Sequence, residues 1–187
     1  MRRLMLIFAG CLVAGAPGWS ADFPRSEVFG SVGWARRWDD LGAPINGLVA
    51  GGGVGRRLLP QFTVEFETLG FFGTRGTPAF GPSDRVRGLQ FSANGKLYVY
   101  RSSRTRVFIL LGAGGAYSTN TVDFDGFHLQ ASHTGFVANA GAGLEIFLNR
   151  SVALRPEIRM LGGSLGTASG NPFAAELRAT LGIGYHW

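Results

Sequence analysis

From Phe173 to Trp187 every second residue is apolar: Phe173, Ala175, Leu177, Ala179, Leu181, Ile183, Tyr185 and Trp187. The residues between them, Ala174, Glu176, Arg178, Thr180, Gly182, Gly184 and His186, are polar or small. Side chains along a strand alternate faces with period two, so this stretch reads as a strand with one greasy and one polar face. A half-buried strand of a soluble sandwich shows similar alternation, but rarely keeps so long a greasy face that ends on an exposed aromatic. A strand that crosses a membrane needs about 9 to 11 tilted residues, apolar toward lipid and polar toward a lumen, with aromatics at the interface. The pattern predicts a transmembrane β-barrel.

The other end of the chain points to export. Arg2 and Arg3 precede the apolar run Leu4 to Val13, which is followed by small residues and Pro17. This predicts a secretory signal peptide over residues 1–21, cleaved near Ser20 or Ala21, and the run is too short for a spanning helix. Cys11 follows Phe8, Ala9 and Gly10 in a faint match to a lipoprotein cleavage site, to which Phe8 is poorly suited. Cys11 is the one cysteine in the chain, so its removal with the leader excludes disulfides, thiol catalysis and cysteine metal sites from the mature protein. Residues 22–187 then form one domain. Losing Arg2 and Arg3 lowers the net charge from +6 to +4. A basic chain can bind nucleic acid, but in an exported one anionic lipid headgroups are the nearer partner. No nucleic-acid partner is expected. No apolar stretch after the leader is long enough for a helix to span, so insertion must use strands.

Reading back from the end, Val152, Leu154, Pro156, Ile158 and Met160 alternate with Ala153, Arg155, Glu157 and Arg159. Pro156 lacks an amide hydrogen, which predicts a local bulge or distortion. Phe136, Ala138, Ala140, Ala142, Leu144 and Ile146 alternate with Asn139, Gly141, Gly143 and Glu145, and Asn149–Arg150 makes the turn between these strands. Arg106 to Tyr117 places Val107, Ile109, Leu111, Ala113 and Tyr117 on the lipid face, with Phe108 and Leu110 inward. Leu89, Phe91, Ala93, Leu97 and Val99 oppose Gln90, Ser92, Asn94, Lys96, Tyr98 and Tyr100. Phe62, Val64 and Phe66 oppose Thr63, Glu65 and Glu67, and the stretches 47–57 and 27–36 supply the last two strands.

Eight antiparallel strands put both termini on one side. The connections near 37–44, 70–85, 118–131 and 162–170 are long and those near 57–60, 101–105 and 149–150 short, the arrangement of long outer loops and short periplasmic turns. A lipocalin-like soluble barrel also has eight up-and-down strands, but its apolar residues point inward. Here Glu65, Glu67, Lys96, Glu145, Arg155, Glu157, Arg159, Glu176 and Arg178 share the face that must go inward if the apolar face meets lipid. These five acids and four bases nearly balance, and buried charges persist only when paired and hydrogen-bonded. The expectation is either a salt-bridged plug or charges that simply fill a lumen just wide enough for side chains.

The ending TLGIGYHW resembles the C-terminal signal of bacterial outer-membrane β-barrels, with Thr180, Gly182, Tyr185 and Trp187 at its places. The family's last residue is most often Phe, and Trp187 keeps the aromatic character. The stretch TGFVANAGAGLEIFLNRSVALRPEIR resembles the small OmpA/OmpX-type barrels, matching at Gly141, Gly143, Glu145, Arg155, Glu157 and Arg159. The resemblance implies an all-β, eight-stranded, up-and-down barrel in a Gram-negative outer membrane, handled by the barrel-assembly machinery and acting in surface, adhesion or envelope roles. With no further segment after Trp187, no periplasmic peptidoglycan-binding module is expected. Fold does not fix activity.

Catalytic candidates are few. The lipid A deacylase barrels place a His and a Ser two residues apart just before an Asn-Ala-Gly stretch. Asn139, Ala140 and Gly141 are present here, but Phe136 and Ala138 stand where base and nucleophile would be. His186 reads as a rim residue, and His128 and His133 lie near Asp123 and Asp125 without a spacing that imposes metal geometry. No catalytic residue, metal or cofactor is expected. In the outer loops Trp38, Phe71, Phe72, Phe80, Phe124 and Phe127 accompany Arg37, Arg75 and Arg85, the arginines being candidates for contact with lipopolysaccharide phosphates. A host ligand is the other reading of these loops. The sequence thus predicts a non-enzymatic, monomeric outer-membrane barrel, with a narrow pore for ions or small solutes as the alternative.

Overall fold

The computed structural model describes residues 26–38, 44–75, 83–124, 127–164 and 174–187. The expected leader, Cys11 and Phe80 lie outside the described residues. Eight strands run in chain order: β1 (Ser26–Trp38), β2 (Ile45–Leu59), β3 (Phe62–Arg75), β4 (Ser83–Arg101), β5 (Thr105–Phe124), β6 (Phe127–Phe147), β7 (Val152–Gly163) and β8 (Ala174–His186). Each pairs antiparallel with its neighbour, and β1 pairs with β8 to close a barrel. Ser26 and Trp187 exchange two backbone hydrogen bonds of 3.0 Å at the closing seam.

Alternation fixes the two faces. Val32, Leu48, Phe66, Phe91, Leu111, Phe136, Ile158 and Leu181, one from each strand, are 53–67% exposed and ring the outside. The opposite parity is buried and holds the charges, so polarity is inverted relative to a soluble barrel. At the loop end the lumen is capped by Ala35, Ile45, Val49, Phe71 and Val86. Toward the turn end Tyr98 packs edge-on to Phe108, which lies beside Leu110. Inward glycines let the backbones approach: a Cβ at Gly114 would fall 1.8 Å from the carbonyl oxygen of Phe91.

The turns are tight. Ser102 Oγ accepts from the Thr105 amide at 3.0 Å, and Asn149 Oδ1 accepts from the amides of Ser151 and Val152, both at 2.8 Å. These side-chain caps do what backbone partners would do in a longer loop.

Three expectations are corrected. The segment 118–131, expected as a loop, is mostly strand, since the β5–β6 ladder continues to Phe124↔Phe127. The strands likewise run into the expected loop 70–85, with β3 ending at Arg75 and β4 starting at Ser83. A strand that rises past the apolar belt has no greasy face, so alternation of hydrophobicity does not reveal it. Tyr100, assigned inward, is exposed: a register shift between Tyr98 and Tyr100 leaves Val99 and Tyr100 both outward. At Pro156 the expected distortion takes the form of a gap without a bulge: the β6–β7 ladder lacks its pairs at Leu144 and Glu145 and resumes in the same register at Ile146↔Leu154.

The inverted polarity has a direct consequence. Leu111→Arg, at mid-belt on the outer face, will cost about 2–4 kcal/mol in a lipid bilayer. A barrel whose outer face met water would tolerate it within about 0.5 kcal/mol. Urea unfolding in vesicles, followed by tryptophan fluorescence, reads the difference.

Candidate functional site: the charge network of the lumen

All six glutamates of the chain are buried inside the barrel, and they organise two groups of contacts. The larger group centres on Lys96 of β4. Its Nζ lies 2.6 Å from Glu27 Oε1, 2.5 Å from Glu65 Oε1 and 2.7 Å from Glu145 Oε1, which brings β1, β3 and β6 to one ammonium. Arg155 of β7 reaches across to Glu65 with two parallel bonds, NH1 to Oε1 at 2.9 Å and NH2 to Oε2 at 2.8 Å. It also donates to Glu157 from Nε at 3.1 Å and NH2 at 2.9 Å, and its guanidinium carbon sits 4.3 Å from the Phe29 ring. A planar fork suits this double engagement, which a lysine could not reproduce. Arg159 continues the chain by pairing with Glu157 and Glu67. Asn139 Nδ2 donates to Asn94 Oδ1 at 3.0 Å on the neighbouring wall.

The smaller group lies nearer the loop end. Glu176 accepts from Arg37 Nε at 2.9 Å and NH2 at 2.8 Å on one oxygen, and from Arg178 Nε at 2.8 Å on the other. Arg178 NH2 also donates to Gln90 at 2.9 Å. Cross-barrel and i,i+2 pairs thus alternate along the lumen.

The structure places Glu65, Glu67, Lys96, Glu145, Arg155, Glu157, Arg159, Glu176 and Arg178 in these groups, all buried. Arg37 is a correction: expected at the surface against lipopolysaccharide, it is buried and paired with Glu176, because β1 runs on to Trp38 and keeps Arg37 on the inward parity of Ala35. Arg85 is exposed; Arg75 ends β3 and its side chain lies outside the described residues. Glu27 and Arg106 belong to the network and were missed. Each is the second residue of its strand, and the parity of Phe29 and of Phe108 assigns them inward. His186 is more enclosed than a rim residue, with Nδ1 3.3 Å from Glu27 Oε2 and its ring 5.0 Å from Phe147.

Glu27, Glu145 and His186 bring one ligand atom each within 4.8 Å of one another. Lys96 already lies on both carboxylates and supplies the positive charge a cation would bring. His133 is half-buried among the strands above the belt, while the side chain of His128 and residue Asp125 lie outside the described residues. At the end of β8, Tyr185 and Trp187 stack on the outer face at 5.9 Å, Gly182 pairs with Ser31 and Arg155, and Thr180 pairs with Gly33 and Glu157.

A closed eight-stranded barrel with a lipid-compatible exterior and an ion-paired interior defines the architecture of the small outer-membrane β-barrels of OmpA/OmpX type. Among solved structures the chain is similar to Neisserial surface protein A, at 15% identity over 87% of this chain and 97% of that one, with a TM-score of 0.62. It is also similar to Ail, the attachment invasion locus protein of Yersinia pestis, at 14% identity over 88% and 99%, with a TM-score of 0.55. The N-terminal β-barrel domain of Pseudomonas aeruginosa OprF matches at 16% identity over 88% and 98%, with a TM-score of 0.51. No protein-family model matches the sequence, and neither does any curated protein. At these identities the likeness is one of fold.

Proposed function

We propose that this protein is a non-enzymatic component of the Gram-negative outer membrane, delivered there after loss of its leader, with a closed lumen and a structural or surface role. The observation that carries the reading is the pairing of an apolar exterior with a cross-linked charge network inside. Barrels of this architecture host enzymes as well as non-enzymes, so the non-enzymatic reading rests on residues. Directly before Asn139, where an acyl-ester hydrolase of this architecture would carry its base and nucleophile, Phe136 and Ala138 face outward and can supply neither. The alternation of Thr180, Gly182, Tyr185 and Trp187 supports recognition by the barrel-assembly machinery.

Charge on the outside supports lipopolysaccharide as the neighbour. With every glutamate inside, the exposed and half-exposed charged side chains on the described outer surface are arginines: Arg36, Arg85 and Arg87 at the loop end, and Arg56, Arg104 and Arg150 at the turn end. Arg85 and Arg87 border a groove of about 500 Å³ lined also by Trp34, Leu48 and Phe72. Guanidinium over phosphate and acyl chain over aromatics would suit this groove.

The test is incubation of the refolded protein in lipopolysaccharide bilayers. The lipid A mass will stay unchanged, and unfolding will require more urea than in phosphatidylcholine. Loss of an acyl chain from lipid A would overturn the non-enzymatic reading. The R85A/R87A variant is expected to lose about 2 kcal/mol of the lipopolysaccharide-dependent stabilisation, at about 1 kcal/mol per arginine near an anionic surface. An unchanged stabilisation would remove the groove from the account.

A further inference from the structure

Two buried donors of the smaller charge group border one space. Gln90 Oε1 accepts from Arg178 NH2 at 2.9 Å, which leaves Gln90 Nε2 and Arg178 NH1 to be satisfied. Both atoms are shielded from solvent, and neither has a hydrogen-bond partner among the described residues. The residues that carry them are 5% and 3% exposed. A donor left bare in so dry a place is costly, and buried polar groups are nearly always met by protein or by ordered water. Gln90 and Arg178 line one enclosed cavity together with Leu69, Phe71, Gly88 and Ser118. The centre of a water-sized sphere has about 10 Å³ in which to move there, the room of a single small molecule.

The charge of Arg178 is already answered, since Glu176 accepts from its Nε at 2.8 Å and from its NH2. NH1 therefore lacks an acceptor rather than a counter-charge, and a neutral oxygen suffices. Ser118 Oγ carries two lone pairs, so a water that accepts from Nε2 and NH1 can return a hydrogen to it. That makes three bonds, the usual number for a buried water.

A glycine keeps the space open. Gly88 shares the inward parity of Val86 and Gln90 on β4, and its φ is not positive. A Cβ there would meet the Tyr117 carbonyl oxygen at 3.5 Å, Phe71 Cβ at 3.6 Å and Arg37 NH2 at 3.9 Å, all ordinary contacts. Neither backbone nor packing demands glycine here, and glycine is the poorer strand former. An alanine methyl would enter the cavity and take up its room.

We propose that Gln90, Arg178 and Ser118 hold one ordered water molecule in a chamber kept by Gly88, and that this water completes the smaller group of the charge network. It ties β4, β5 and β8 together from inside the lumen, so the plug at this level is part protein and part solvent.

The test is proton-detected solid-state NMR of the refolded protein in lipid bilayers, following magnetisation from water into the side-chain amides of labelled asparagine and glutamine. The Gln90 Nε2 protons are expected to take it up about threefold faster than those of Asn94 Nδ2, because a bound water lies against the first and not the second. Asn94 is equally buried, but its Nδ2 faces Glu67 and Ser92. G88A is expected to slow Gln90 to the Asn94 rate and to leave Asn94 unchanged. The wild-type comparison stands whether or not G88A folds. Equal rates for Gln90 and Asn94 in the wild type would overturn the site, as would a Gln90 rate that G88A leaves fast. Exchange of chloride for sulfate at constant ionic strength should not move the Gln90 signal; a saturable shift with chloride would assign an anion to the chamber and overturn the water.

Discussion

Replacing Arg155 with methionine will lower the unfolding free energy by about 3–5 kcal/mol, the cost of leaving buried carboxylates without their partner. Arg155 is the densest node of the lumen: it holds Glu65 by two bonds, Glu157 by two more, and packs on Phe29. Its removal leaves Lys96 as the described cation on Glu65 and Arg159 as the described cation on Glu157. The attribution to charge rather than volume is testable by a cycle. In the R155M/E65Q double variant the loss should be smaller than the sum of the two single losses, because each single change leaves an uncompensated charge that the pair does not. Additive losses in urea titrations would mean that Arg155 acts by packing.

Lys96→Met is expected to cost a similar 3–5 kcal/mol, through a different geometry. Three carboxylates from three strands meet at one ammonium, with all four side chains buried. Without it Glu27, Glu65 and Glu145 face one another in a poorly screened space, where repulsion is far stronger than at a surface. Adding E145Q to K96M should recover part of the loss, while adding E176Q, in the separate group near the loop end, should recover none. Recovery by E176Q would mean that the two groups behave as a single unit. Loss below about 1 kcal/mol for K96M would place the site in contact with water, at the strength of an exposed pair.

Much of this was legible in the residues, because a strand with one lipid face and one lumen face makes parity equivalent to side. Leu181, Ile183, Tyr185 and Trp187 could only face one way once Glu176 and Arg178 faced the other. The inward set of β3, β6, β7 and β8 was readable for the same reason. Parity breaks down where the backbone departs from period two, which is why Tyr100 was misplaced beside the β4 bulge. It also gives no account of length. Arg37 reads as a loop residue because apolar alternation fades before Trp38, and residues 118–124 read as loop because a strand above the belt needs no greasy face. Partner choice was not legible at all. That Lys96 would gather Glu27, Glu65 and Glu145, and Arg155 would take Glu65 across the barrel, depends on strand stagger, which no local pattern encodes.

The central claim, a lumen closed by its own ion pairs, is tested most directly by single-channel recording of the refolded protein in a planar bilayer. The wild type is expected to show no steady conductance, and Arg155→Ala, checked first to be folded, is expected to leak. Steady conductance through the wild type would contradict a closed lumen and make the barrel a narrow pore.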